Sequence, residues 1–344
     1  MIARVVVNRR ARHLASRGPL LAELSRSRHG IEIIETNSLD ELDSFARAEV
    51  SRARDVSRPR DASKSAATDD APSDVLVLAG GDGSYMAGVS ALVRAFAHDE
   101  ASTSRPLTLP AIALAPGGTV GTVARNWSHA RGSNVRRAAR LLDAIASGAF
   151  TTTGRATLRV ERTGCPTQIG FIFGAGLVAR FFEVYEARGA SGNLTAARIV
   201  ARVFAGSFIG ARFARSVLEP TPCVVSVDGA RAPFDRVSLL AASVVADLGL
   251  GMRLLYRAGE GHSGSGPGNR FHVVATPLGA RALGPQMPLV LAGRPLLGPR
   301  VDTLAARLSL RFPSGRGAYV LDGDLFHADA IEVSAGPTLD IVTL

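Results

Sequence analysis

The chain has 344 residues, 46% of them apolar and 20% charged, a balance that excludes a single small module, a disordered chain and a bundle of membrane spans. Lys and Arg outnumber Asp and Glu by 40 to 30, and the one lysine is Lys64, so a phosphate loop of the GxxxxGK[ST] kind, whose lysine neutralises the phosphates, is excluded as well. The net charge of +10 favours anionic partners such as nucleotides, phospholipid surfaces or nucleic acid without choosing among them.

Residues 3–8 read as a first strand. Residues 9–25 carry leucines at 14, 20, 21 and 24 around a Gly-Pro interruption, which predicts a helix that starts late or breaks. A second strand is predicted over 31–35, then a helix over 38–53 opened by Ser38 with Glu41 three residues on, the reciprocal capping pattern. Residues 54–73, rich in Arg, Asp, Ser, Pro and Ala without periodicity, read as a solvated loop. A continuous apolar strand over 75–79, a helix over 83–97 and a strand over 110–115 complete a βαβαβαβ order. That alternation is the signature of a doubly wound, mostly parallel sheet.

After a helix over 135–147 the character changes. Segments 151–161, 168–173, 223–228, 237–246 and 272–276 look like strands separated by turn residues, which predicts a second, mainly β domain. Within it, residues 194–217 read as one long helix with arginines at 198, 202, 212 and 215 and phenylalanines at 204, 208 and 213. Packing on the β-rich domain is the preferred reading of its apolar face, the alternative being a bilayer surface. Residues 259–268, GEGHSGSGPG, form a Gly-rich loop, and the seven histidines show no metal spacing. Cys165 and Cys223 fall in no CxxC or Cys/His array, so a reducing cytoplasm is the expected setting. The N-terminal apolar run is too short for a secretory signal, and the longest apolar stretch, 237–252, is interrupted by polar residues and glycines. A soluble protein, at most peripheral at a membrane, is expected.

The chemistry concentrates at strand ends. Strand 75–79 runs directly into Gly80-Gly81-Asp82-Gly83-Ser84 and a helix, where glycines let backbone amides approach an anion and the helix N-terminus adds partial positive charge. An aspartate in such an anion site makes sense if it hydrogen-bonds locally or meets a cation, most simply magnesium carried by nucleotide phosphates. Strand 110–115 ends in Pro116-Gly117-Gly118-Thr119, so two Gly-rich loops would flank one crevice if the strands are neighbours, the expected ligand position in an open α/β sheet. Asn8 and Thr36 would end at the same edge.

The run VLVLAGGDGSYMAGVSAL followed by LPAIALAPGGTVGTVARNW resembles the nucleotide-binding half of the diacylglycerol kinase catalytic family, which includes bacterial lipid kinases and sphingosine kinases. The tail YVLDGDLFHADAIEVSAGPTLDIV resembles that family's closing segment, with Asp322-Gly323-Asp324 in the place of an Asp-Gly-Glu motif. The resemblance, in order over most of the chain, implies an α/β nucleotide-binding domain over 1–150, completed by a return of the chain at about 328–344, and a β-sandwich over 151–327 that takes the lipid. It implies ATP in the cleft between the domains. Gly80, Gly81, Asp82, Gly83, Ser84, Gly118 and Thr119 match phosphate and magnesium positions, with Asp82 toward the metal and Asn8 and Thr36 as further nucleotide contacts. Asp324 inherits the role of general base, taking the proton from the lipid hydroxyl as it attacks the γ-phosphate.

The chain departs from the family in two places. Asp324 is one methylene shorter than glutamate, a reach of about 1.5 Å. After Thr119 it reads Val120-Gly121-Thr122 where the family usually continues Gly-Asn-Asp or Met-Asn, so an asparagine, and in the first form an acid, is missing. Arg9-Arg10 after Asn8 could supply charge to the phosphates. The resulting expectation is an ATP- and Mg2+-dependent lipid kinase acting on a diacylglycerol-like or other long-chain alcohol. The alternatives are a weakly active or non-catalytic nucleotide- or lipid-binding relative and, third, a phosphofructokinase-like sugar kinase, which shares the Gly-Gly-Asp-Gly-Ser string but not the rest of its pattern. NAD kinase also shares Gly-Gly-Asp-Gly, but needs an Asn-Glu pair that this sequence lacks. Nucleic-acid binding rests on charge alone and is not expected.

Overall fold

The computed structural model describes residues 3–11, 14, 18–26, 28–56, 74–103, 107–118, 121–127, 132–187, 193–260, 269–313 and 315–344. Thr119, Val120, most of the predicted 54–73 loop and residues 261–268 of the Gly-rich loop lie outside them. The chain forms two compact units, one of Met1–Arg155 with Thr338–Leu344 and one of Ala156–Pro337. The junctions therefore fall at 155/156 and 337/338, against the 150 and 328 expected.

In chain order the first unit contains β1 (Ala3–Asn8), α1 (Pro19–Leu24), β2 (Ile31–Thr36), α2 (Leu39–Val56), β3 (Val75–Gly80), α3 (Asp82–Thr103), β4 (Ala111–Pro116), α4 (Thr122–Trp127), α5 (Asn134–Ser147) and β5 (Thr151–Arg155). The second contains β6 (Leu158–Glu161), β7 (Gln168–Gly170), β8 (Ile172–Gly176), α6 (Leu177–Ala187), α7 (Asn193–Ile209), α8 (Arg212–Val217), β9 (Thr221–Pro222), β10 (Val224–Val227), β11 (Ala230–Arg231), β12 (Arg236–Val237), β13 (Leu239–Ser243), β14 (Phe271–Thr276), α9 (Ala280–Leu283), α10 (Met287–Leu291), β15 (Val301–Ala305), β16 (Arg307–Arg311), β17 (Gly317–Leu321), β18 (Asp324–Ala328) and β19 (Ala330–Ala335). The last strand, β20 (Leu339–Thr343), returns to the first unit.

The first unit is built on one mixed sheet in the order β2-β1-β3-β4-β20-β5, parallel except for β5. β3 and β4 are apolar throughout and buried on both faces, as central parallel strands require. Register sets the working edge: Asn8 pairs with Thr36 and Gly80 with Pro116, so four strand ends finish level. One face of β1, β3 and β4 packs on α1 and α5. The Ser38 half of the capping reading of α2 holds, since Ser38 Oγ accepts the Glu41 amide at 3.2 Å, while the Glu41 carboxylate reaches one residue further back and accepts the Asn37 amide at 2.7 Å.

The second unit carries two six-stranded antiparallel sheets, β11-β10-β16-β19-β6-β7 and β15-β14-β13-β8-β17-β18, and a short β9-β12 ribbon. Three elements differ from expectation. The strand predicted over 151–161 is two strands in two units, parted at Ala156-Thr157. The strand predicted over 237–246 is interrupted at Ser238. The helix predicted over 194–217 breaks at Gly210, whose φ of 63° is left-handed, and α8 folds back so that a Cβ at Gly206 would stand 3.1 Å from Ala214. Within 168–187, Gly176 (φ 65°) ends β8 and turns the apolar run into α6. Among the described residues no helix is long and apolar enough to cross a membrane.

Candidate active site

At the carboxyl edge of the first unit's sheet the two glycine turns touch backbone to backbone. The Gly117 amide donates to the Gly80 carbonyl at 2.6 Å, and a Cβ on Gly118 would lie 2.5 Å from the Gly81 Cα. A Cβ on Gly80 would collide with Ser84 at 2.4 Å, and one on Gly117 with Leu14 at 2.6 Å. Side chains are therefore excluded where an anion would approach the backbone, the use to which strand-to-helix glycines are put in phosphate sites. Gly83 lies in the first turn of α3, directly behind Asp82.

Polar side chains fix the edge. Asn8 donates its carboxamide to Ser84 Oγ at 2.8 Å, accepts the Arg10 amide at 2.9 Å, and thereby ties the end of β1 to the start of α3. Ser84 Oγ also accepts the Gly81 amide at 3.3 Å. Thr36 is buried beside Asn8 and its hydroxyl lies 3.5 Å from the Val7 carbonyl. An open groove with a cavity volume of about 110 Å3 runs along this edge, lined among others by Asn8, Arg10, Thr36, Ser38 and Ser84. Arg9 leans toward Glu35, 3.6 Å away, which leaves Arg10 as the cation of the pair that lines the groove.

Asp82 has a local partner that the sequence did not disclose. Its two carboxylate oxygens accept the backbone amides of Thr122 at 2.8 Å and Val123 at 3.0 Å, capping α4 from across the crevice. Burial raises its pKa above the ordinary carboxylate value, while the Thr122 and Val123 amides and the Arg125 charge act in the opposite direction. Behind it the buried Tyr85 donates to the Ala115 carbonyl at 2.9 Å, pinning α3 to β4. The chain thus closes the Val120-Gly121-Thr122 departure by using Thr122 as a backbone donor to Asp82.

The donor set bears on magnesium. Among the described residues no three His, Cys, Asp or Glu side chains converge as a metal cage. Asp82 accepts two amides and the Thr122 hydroxyl, which leaves one of its lone-pair sites for an ion whose other partners would be phosphates and water, the usual way magnesium is held. Such an ion would supply charge neutralisation to the phosphates.

Asp324 belongs to the second unit. Asp322 (φ 51°) and Gly323 (φ 93°) are the two central residues of the β17–β18 hairpin, a turn in which both residues are left-handed, and Leu321 pairs with Asp324 across it. Asp322 is buried and its carboxylate accepts the amides of Phe171, at 3.0 Å, and Ile172, at 2.9 Å. The hairpin is thereby locked to β7 and β8, and Asp324 stands at its start with a solvent-accessible side chain. Surrounding protein atoms remove part of its hydration, and Glu186 of α6 adds a like charge; both raise its pKa above the ordinary carboxylate value.

The structure thus brings Asn8, Thr36, Gly80, Gly81, Asp82, Gly83, Ser84 and Gly118 to one edge, with Thr119 outside the described residues and Asp324 on the second unit's hairpin. No protein-family model and no curated protein matches the sequence. Among solved structures, one described as a diacylglycerol kinase from Bacillus anthracis str. Sterne aligns at 12% identity with a TM-score of 0.53, over 99% of this chain and 96% of that one. Two others, given that description provisionally, align at 13% and 12% identity with TM-scores of 0.55 and 0.59, each over 98% of this chain and 96% of theirs. The chain has the fold of these proteins. The likeness spans both units.

Proposed function

We propose that the chain is an ATP- and magnesium-dependent kinase that phosphorylates the hydroxyl of a lipid, diacylglycerol-like or another long-chain alcohol. The observation that carries this reading is the pair of glycine turns packed so closely that a Cβ on Gly81, Gly117 or Gly118 would stand 2.5–3.3 Å from the backbone of the other turn, at the edge that also bears Asn8, Thr36, Asp82 and Ser84. The fold shared with structures described as diacylglycerol kinases supports it. Asn8, Thr36, Gly80, Gly81, Gly83, Ser84, Gly118 and Thr119 are assigned to the nucleotide, Asp82 to the α4 cap and the ion, and Asp324 to the proton of the acceptor hydroxyl. A carboxylate with a raised pKa is the stronger base, which suits Asp324 to that role. The second unit's two sheets are read as the faces of a sandwich that receives the acceptor. An open cavity of about 160 Å3, walled by Ala179, Val237, Leu310 and Phe312 and edged by Arg180, Glu183 and Arg316, has the mixed lining that part of an amphiphile could meet. Cys223 in its wall is inert, its thiol pushed up to about 12 by burial.

The test is transfer of label from γ-labelled ATP to a membrane lipid extract with magnesium present. Wild type is expected to label a lipid, and Asp324→Asn to lose nearly all of that rate while still binding nucleotide. Undiminished transfer by Asp324→Asn would remove the base assignment, and nucleotide binding without labelling of any lipid would favour a non-catalytic relative.

A further inference from the structure

The outward face of α7 is unlike a face built for water. Its exposed positions are Leu194, Ala197, Arg198, Ala201, Arg202, Ala205, Phe208 and Ile209, a stripe at helical spacing, while Ile199, Val203 and Ser207 face inward to the second unit's core. Leu194 is 75%, Phe208 57% and Ile209 78% exposed. A solvated helix face carries mixed charges; this one carries apolar side chains, arginines and no acid.

The same chemistry continues on the neighbouring segment. Ser207 packs against Gly284, where a Cβ would stand 2.0 Å from its hydroxyl, and the Arg281 guanidinium sits beside Gly210 at the end of α7. Gln286, two residues beyond Gly284, holds Leu297 through its backbone amide at 2.6 Å and carbonyl at 3.2 Å, and Leu297 is 64% exposed. Residues 193–217 contain four arginines and residues 278–300 three, and neither segment contains an Asp or Glu, whereas the whole chain has 30 acids to 40 cations. No ion pair is formed by the exposed Arg198, Arg202, Arg212 or Arg281 among the described residues; Arg202 lies over the Phe213 ring at 4.3 Å, and no acid neutralises any of the four charges.

We infer that α7, with the 281–297 segment beside it, is the surface by which this protein docks on an anionic phospholipid bilayer, Phe208, Ile209 and Leu297 entering the interface and the arginines meeting the headgroups. The charge complementarity selects a negative surface, and the interleaved apolar side chains select one with a hydrocarbon interior over a nucleic acid, whose phosphates offer nothing to a Phe-Ile pair.

Flotation of the full chain with vesicles tests this, using phosphatidylcholine alone and phosphatidylcholine with a third of phosphatidylglycerol, without nucleotide. Binding is read independently of phosphoryl transfer, so loss of the kinase reading would leave this surface standing, and the reverse. Wild type is expected to float with the anionic vesicles, to be released by salt, and to ignore neutral ones. Phe208→Ser with Ile209→Ser, and separately Arg198→Glu with Arg202→Glu, should each weaken that binding by about tenfold or more at an unchanged melting temperature. Ile209→Trp should strengthen it, an outcome that misfolding cannot imitate. Absence of binding to anionic vesicles, equal binding to neutral ones, or variants indistinguishable from wild type would overturn the assignment. So would a wild-type dimer in solution that the Phe208→Ser, Ile209→Ser variant abolishes without vesicle binding, since the face would then cover a second copy.

Discussion

Asp82 accepts two backbone amides of α4, so it is both a cap and a candidate ion ligand, and the two roles separate by substitution. Asp82→Ala removes both acceptors and is expected to cost about 1–2 kcal/mol of stability, as helix caps do. Asp82→Asn keeps one acceptor and should cost less, while both variants lose phosphoryl transfer; chemical denaturation beside the lipid assay checks the pair. Because burial raises the Asp82 pKa, ionising it opposes folding, and that part of the stability is present at acid pH and lost as pH rises through its folded-state value. Asp324 has the same sign, from lost hydration and from Glu186. Glu186→Gln should therefore lower the Asp324 pKa and move the acid limb of the pH–rate profile to lower pH. A limb that stays in place or moves upward would separate Glu186 from the rate.

At the scale of elements, the strand ends were legible because their determinants are local. Glycines directly after apolar strands, Asn8 at a strand terminus and the Ser38–Glu41 cap need only neighbours in sequence. What remained hidden depends on contacts across the chain. The role of Asp322 was invisible, since its partners Phe171 and Ile172 lie about 150 residues away and the local pattern says only hairpin turn. The break at Gly210 and the short α4 were equally hidden, the first decided by packing of α8 onto α7 and the second by Asp82. Asp322→Ala leaves two buried amides without acceptors and is expected to destabilise the second unit by about 2–4 kcal/mol, read as a fall in melting temperature. Asp322→Asn, which keeps one acceptor, should recover part of that loss.

At the scale of the molecule, β20 carries the chain from the second unit back into the first, between β4 and β5. Removal of residues 338–344 would strip β4 and β5 of their shared partner in the interior of the sheet, and the first unit is expected to lose cooperative unfolding, as calorimetry would show. A single undiminished transition after truncation would contradict that role. The proposed kinase activity depends on the paired glycine turns holding a triphosphate. Calorimetric titration of magnesium-ATP into wild type and into Gly118→Val, whose added side chain would stand within 2.5 Å of Gly81, tests this most directly. One nucleotide bound per wild-type chain and no measurable heat with the folded variant is the predicted result; equal binding by both, or by neither, would contradict it.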